Sequence, residues 1–303
     1  MTLRTQLARL RPGRIAAAAE WRRAMARGRR GQFALETLFE RPGAPVRTAQ
    51  PAHTPAEASA VPLIMCLWNR PSRIDDVLRM LDGQQGPIDL VLWNNQKADD
   101  AHYRSRIAAF AAAAAAAAPG GAEADAPSTG ALRSIRFHTS AVNMRGICRF
   151  FVARQLWEGG YRGPFIMLDD DQDVTGHFLA DALAAAAPHG LAGWWAWQMH
   201  GGGYWDRRAA SVGERVDYAG TGGCVCDIDI VADPAFFTEL PRYFAHLEDL
   251  WMCSWAKRHG WAIGKLDTPI EFVLDETNQH HGQYDLKAEF WDYLARLEAG
   301  AAA

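Results

Sequence analysis

Residues 164–174 read PFIMLDDDQDV. Five apolar residues run directly into three consecutive aspartates, Asp169, Asp170 and Asp171, with Asp173 close behind. An apolar run of this length without alternation predicts a strand covered on both faces, extending over 164–171. Carboxylates packed this densely repel one another. A hard divalent cation relieves the repulsion, and Mg²⁺ or Mn²⁺ prefers oxygen ligands while leaving positions for phosphate. The alternative is an acidic turn standing in solvent where the strand ends.

Upstream, VPLIMCLW (61–68) is a second run of the same kind and stops at Asn69-Arg70-Pro71-Ser72. Ser72 is expected to cap a helix from Arg73, with Ile74, Val77, Leu78 and Leu81 on its inner face. IDLVLW (88–93) predicts the next strand, ending at Asn94-Asn95, and SIRFHTS (134–140) another. Helices are predicted over 100–118 and 145–157. Strands alternating with helices argue a mainly parallel sheet covered by helices. Ligands of such sheets bind at the carboxyl ends of the strands. Asn69-Arg70, Asn94-Asn95 and the aspartates are therefore expected to converge. Beyond residue 190 the chain turns Trp- and Gly-rich. A strand is predicted near 224–230, a helix over 248–259, a strand over 270–274 and a final helix from Leu286.

The 303 residues are 49% hydrophobic and 22% charged, which excludes a disordered or fibrous chain. A net charge of -3 gives no support to nucleic-acid binding. The charge is uneven. Residues 1–31 hold nine Arg and one Glu, a net +8, so the remainder carries about -11. Residues 1–40 read as a basic helical arm and 41–60 as a Pro/Ala linker. The arm is either a helix packed on the main domain or a surface helix drawn to anionic lipid, which would place the chain peripherally at a membrane. A mitochondrial presequence has a similar composition. Five scattered cysteines do not form a disulfide framework, and Cys224-x-Cys226 lacks a second pair at zinc spacing. A reducing cytoplasm is the default expectation. The longest apolar run, 107–118, is twelve residues and too short to span a bilayer.

The order of these segments resembles the GT-A glycosyltransferases of the family-2-like, inverting type, over roughly residues 61–285. The resemblance implies a GT-A type, Rossmann-like α/β domain, with a nucleotide-sugar half (61–175), an acceptor half (176–285) and a C-terminal helix (286–303). It implies a hexosyltransferase-like enzyme that uses a nucleoside-diphosphate sugar with Mn²⁺ or Mg²⁺ and a glycan or lipid-linked acceptor. VPLIMCLWNRP is similar to the family's first strand and loop, which implies nucleotide contacts at Leu67, Trp68, Asn69 and Arg70. LVLWNN is similar to its second strand, which places Asn94 and Asn95 at base or ribose. Many relatives carry an acid there. Asn143-x-x-Gly146-x-x-Arg149 resembles the segment lining the donor pocket, with Arg149 toward phosphate; an arginine on the helix surface is the alternative.

The Asp-x-Asp resemblance implies Asp171 as metal ligand and Asp169 as ribose contact, with Asp169 also a candidate ligand and Asp170 beside the nucleotide. His246-Leu247-Glu248-Asp249 resembles the family's Glu-Asp motif, which implies Asp249 as the base and Glu248 as its acceptor-orienting neighbour. Helix capping is the alternative role for both. The glycine-rich stretch 217–227 corresponds to the acceptor loop, giving Gly222 and Gly223 as acceptor contacts. Trp197, in WWAWQMHGGGYW (194–205), offers an aromatic face to a sugar. By the same resemblance His280 or His281 closes the metal site. A nucleotidyltransferase of similar fold and a non-catalytic carbohydrate-binding protein are the rival readings. The first lacks its glycine- and lysine-bearing phosphate loop here, and the second leaves the triple aspartate without a role.

Overall fold

The computed structural model describes residues 60–117, 130–140, 143–241, 244–273 and 284–301. The basic arm, nearly all of the linker, and His280 and His281 lie outside the described residues.

The first half is a run of strand and helix. β1 (Val61–Leu67) leads through a 3-10 turn at Pro71–Arg73 into α1 (Ile74–Asp82). Ser72 does not cap this helix: Pro71 starts the coil a turn early, so Ser72 lies inside it and Arg73 occupies the cap. β2 (Ile88–Asn94), α2 (Asp100–Ala117) and β3 (Leu132–Thr139) follow. A 3-10 turn at Arg145–Ile147 opens α3 (Cys148–Glu158), which feeds β4 (Pro164–Asp169). That strand stops at Asp169, two residues short of the sequence expectation. The Asp169 N–H donates to Gln172 Oε1 (3.0 Å), which closes Asp170 and Asp171 into a turn before β5 (Gln172–Val174).

The second half is built of shorter pieces. α4 (Phe178–Ala185), β6 (Gly190–Gly193), β7 (Ala196–Met199), β8 (Arg207–Ala209) and β9 (Tyr218–Ala219) precede β10 (Cys224–Asp227). β10 is shorter than the strand expected over 224–230. The Asp227 side chain accepts the Asp229 N–H (3.2 Å) and so caps a 3-10 turn at Ile228–Val231. α5 (Ala235–Thr238), α6 (Glu248–Arg258), β11 (Ala262–Lys265), β12 (Ile270–Phe272) and α7 (Tyr284–Ala301) complete the described chain. No helix among the described residues is long and apolar enough to cross a membrane.

Seven strands form one sheet in the order β11-β6-β10-β4-β1-β2-β3. It is parallel except at β10, which runs antiparallel to both neighbours. Because side chains alternate along a strand, the central strands face two cores. Leu63, Met65, Leu90, Leu92, Ile166 and Leu168 pack toward α1, α2 and α4. Ile64, Val91, Trp93, Phe165 and Met167 pack toward α3, α6 and α7. Each fully buried side chain of this size contributes about 1.5–3 kcal/mol, so the sheet centre is the rigid part of the molecule. The alternation also aims the acids. Asp169 continues the row of Phe165 and Met167 and faces α3 and α6, whereas Asp170 lies on the opposite side.

Candidate active site at the acidic strand end

The structure gathers the ends of β1, β2 and β4, the start of α3, the glycine stretch before β10 and the start of α6. Arg149, in the first turn of α3, is buried at their centre. Its Nη1 donates to Thr221 Oγ1 (2.9 Å) and lies 3.5 Å from Glu248 Oε1, and its Nη2 pairs with Asp169. Burial opposes the guanidinium's charge, but the Asp169 and Glu248 carboxylates hold it protonated well above the ordinary arginine value. Arg149 is thus not the helix-surface arginine its position in the sequence allowed.

The three aspartates have three different surroundings. Asp170 is buried and accepts the Trp68 N–H (2.8 Å) and Arg70 Nη1 (2.7 Å), fastening the loop after β1 to the end of β4. Burial pushes it up to about 6. Asp171 pairs with Arg70 Nη2 (3.1 Å), and burial and then the charge of Asp169 raise it. Asp169 is the most open, its side chain 37% exposed.

Mg²⁺ needs only one or two carboxylates when a substrate's phosphates supply further oxygens. Asp169 and Asp171 meet that need, each from a pairing with one arginine, Arg149 and Arg70. The acid cluster therefore fits such an ion, without Asp170.

Behind these acids stand the residues expected at base or ribose. Asn95 is buried, and its Oδ1 accepts Trp93 Nε1 (3.1 Å) and the Met144 N–H (2.9 Å). Asn94 is fully buried, with Oδ1 accepting the Gln96 N–H (2.9 Å). Asn95 is turned to protein partners and ties β2 to the segment before α3, whereas Asn94 Nδ2 is buried with no hydrogen-bond partner among the described residues. Asn143 accepts the Arg145 N–H (2.8 Å), and Asn69 accepts Gln96 Nε2 (2.9 Å). Leu67 is buried in the sheet, and Trp68 is half-buried beside it. Asn69 has a positive φ of 55°, a turn geometry that asparagine tolerates.

Gly222 is pressed against the acids: a Cβ there would stand 2.3 Å from Asp169 Oδ2. Gly223, at φ 69°, has Ile270 in the same relation at 2.4 Å. Gly146 allows Glu248 to approach α3, since a Cβ there would meet Glu248 Oε1 at 1.5 Å. The glycines are therefore required by close approach of carboxylates and packing, which composition alone does not reveal.

Glu248 and Asp249 open α6 but differ in setting. Glu248 is buried against Arg149 and Thr221, and burial, then the Asp249 charge, push it up to about 7. Asp249 is half-buried. Its Oδ2 accepts the Tyr218 hydroxyl and its Oδ1 the Leu250 N–H (2.8 Å). The Asp249 charge holds Lys287, on α7, above its ordinary value. Beside them Trp197 stacks on Trp195 (5.8 Å, 8° between planes), and the Arg207 guanidinium lies 4.5 Å from the Trp197 ring. Sequence reading missed Tyr218, Thr221, Lys287, Arg207 and Arg145. The Arg145 guanidinium has a buried Nη1 with no hydrogen-bond partner among the described residues. Only the adjacency of Tyr218 and Thr221 to the glycines offered a signal.

Glu248 gives a stability prediction with a definite sign. Its folded value of about 7 lies above the ordinary 4.5, so the folded state holds the proton more tightly. The contribution is complete below about pH 4.5 and is lost as pH rises through about 7. Glu248→Gln should therefore gain on the wild type across that window, with the difference level above it. Denaturant melts in EDTA at a series of pH values check this. A difference constant with pH would mean that Glu248 ionises as an ordinary carboxylate.

No family model and no curated protein matches the chain. Solved structures align with it, among them these two. One is S. aureus TarS, 12% identical with a TM-score of 0.47, covering 79% of this chain and 39% of that one. The other is WbbM, described as a bifunctional glycosyltransferase, 14% identical with a TM-score of 0.38, covering 68% and 38%. The chain spans about two fifths of the length of each.

Proposed function

We propose that the chain is a divalent-metal-dependent glycosyltransferase that moves a sugar from a nucleoside-diphosphate donor to an acceptor hydroxyl with inversion. The observation that carries this reading is the meeting of two carboxylate pairs around one buried arginine. Asp169 and Asp171 stand at the sheet edge, and Glu248 and Asp249 at the start of α6, with Arg149 between Asp169 and Glu248. The order of motifs along the chain supports the same family.

In this reading Asp169 and Asp171 would hold Mg²⁺ or Mn²⁺, which would supply charge neutralisation for the leaving diphosphate. The protein's own groups do the rest. Arg70 and Asp170 fix the nucleotide-side loop. Arg145, whose buried Nη1 has no hydrogen-bond partner among the described residues, takes a donor phosphate in this reading, since Arg149 is already engaged by two carboxylates. Asp249 takes the acceptor hydroxyl's proton as the oxygen attacks the anomeric carbon and the sugar–phosphate bond breaks. Tyr218 donates to Asp249 Oδ2 and sets its orientation. Burial and the Asp249 charge keep the phenol protonated, so it remains a donor. Trp197 and Trp195, the latter 40% exposed, offer sugar-stacking faces for the acceptor. Peripheral attachment to an anionic bilayer belongs to the proposal through the +8 charge of residues 1–31.

The test is Asp171→Asn. Calorimetry with Mn²⁺ and UDP, GDP or CDP should show nucleotide binding that depends on metal in the wild type and is lost in the variant. Undiminished metal-dependent affinity in the variant would remove Asp171 from the site. Slow hydrolysis of one donor in a panel, followed by mass spectrometry, would separate a transferase from a binding protein.

A further inference from the structure

At the opposite end of the sheet from the aspartates, three side chains that no part of the mechanism uses converge. They are His189, before β6, and Asp227 and Asp229, at the end of β10 and in the turn after it. One ligand atom from each lies within 4.8 Å of the others. Asp227 pairs with Pro164 across the sheet, and Pro164 is the first residue of the strand that Asp169 ends. Five residues of strand at about 3.3 Å each place the two clusters roughly 16 Å apart.

Each of the three is already oriented. Asp227 accepts the backbone N–H of His189 on Oδ2 (2.7 Å) and the backbone N–H of Asp229 on Oδ1 (3.2 Å). Asp229 Oδ1 accepts the Trp157 indole N–H (2.9 Å), which leaves Oδ2 for another partner. The His189 ring stacks on Trp261 (5.2 Å, 26°), and its backbone takes a positive φ of 49°. Two neighbouring carboxylates would ordinarily be neutralised by Arg or Lys. Among the described residues no ion pair does so, and none joins His189 to either acid. A cavity of about 380 Å³ opens beside the cluster, walled by Trp157, Trp255 and Trp261 and also by Arg162, whose Nη1 is engaged by the Trp157 and Tyr161 carbonyls.

We infer that His189, Asp227 and Asp229 form a second divalent-cation site, separate from the acidic strand end and suited to Zn²⁺. One neutral imidazole and two carboxylates match the nitrogen and oxygen preference of Zn²⁺, and the two negative charges balance the ion's. Three protein ligands leave one coordination position open toward the aromatic cavity. The Trp157 and Trp261 contacts act as the outer groups that fix ligand direction. The ion ties the lead-in of β6 to the turn after β10, the point where the antiparallel strand is inserted in the parallel sheet.

The experiment uses the full chain carrying Asp171→Asn, so that the acidic strand end contributes little. After chelator dialysis the chain is equilibrated with Zn²⁺ and the bound metal counted. His189→Asn, in which asparagine tolerates the left-handed backbone, should lower the count by one ion per chain, as should Asp229→Asn. Trp157→Phe should keep the count at saturating Zn²⁺ but weaken the site about 10-fold. His189 is exposed, so its variant folds whatever its effect on metal. An unchanged count in His189→Asn and Asp229→Asn overturns the site, as does a parent chain that binds no Zn²⁺. Counting by stoichiometry separates this site from any other zinc ligand in the chain.

Discussion

Asp249→Asn is expected to keep donor binding and lower turnover by about 10²–10⁴, the usual worth of general acid–base catalysis. The amide keeps the size of the carboxylate and can still accept from Tyr218, so the start of α6 is preserved. It cannot take a proton. Product formation and nucleotide affinity, measured on the same preparation, separate chemistry from binding. Turnover at the wild-type level would reject Asp249 as the base. A product that retains the donor's anomeric configuration would reject inversion itself. Either result leaves the metal-dependent donor site to stand on the Asp171 experiment.

The largest stability effect is expected at Arg149. Arg149→Met fills a similar volume but strands Asp169 and Glu248, and breaking a buried pair in this way costs about 3–5 kcal/mol. The Arg149 side chain is 4% exposed and that of Glu248 10%, so solvent screens this pair little. Asp169, at 37% exposed, is relieved in part by water. Urea unfolding measures the loss. Adding Glu248→Gln to Arg149→Met should recover part of it, because the second change removes one of the charges left behind. Full additivity of the two effects would mean that Arg149 and Glu248 do not interact. Arg149→Lys should be an incomplete substitute, since an ammonium cannot reach Thr221, Glu248 and Asp169 as the planar fork does.

The parts legible in the sequence were those buried on both faces. VPLIMCL, IDLVLW and PFIML show continuous apolar runs because helices cover both sides of β1, β2 and β4, and each ends in the polar residues that mark the sheet edge. The second half of the chain was read less well. β7, β8 and β9 are two to four residues long, too short for a periodicity to show. The antiparallel insertion of β10 depends on partners distant in sequence. Within the site, residue type indicated the acids but not their division of labour. Asp170 could be separated from Asp169 only by strand alternation, and Asn95 became a structural tie because Trp93, Met144 and Arg145 surround it. The pairing of Arg149 with Glu248 joins residues 99 apart, and no local pattern announces it.

Residues 218–222 touch both ends of the proposed chemistry. Tyr218 holds Asp249 at one end, and Gly222 rests against Asp169 at the other. Five residues of backbone therefore act as a ruler between the proposed base and the proposed metal ligand. Surface connections usually accept added or deleted residues. This one has no such freedom, because a single insertion would either lift the phenol from Asp249 or carry the glycine off Asp169. Length variation in this chain's descendants should accumulate elsewhere, in segments that join elements without setting the distance between two such groups.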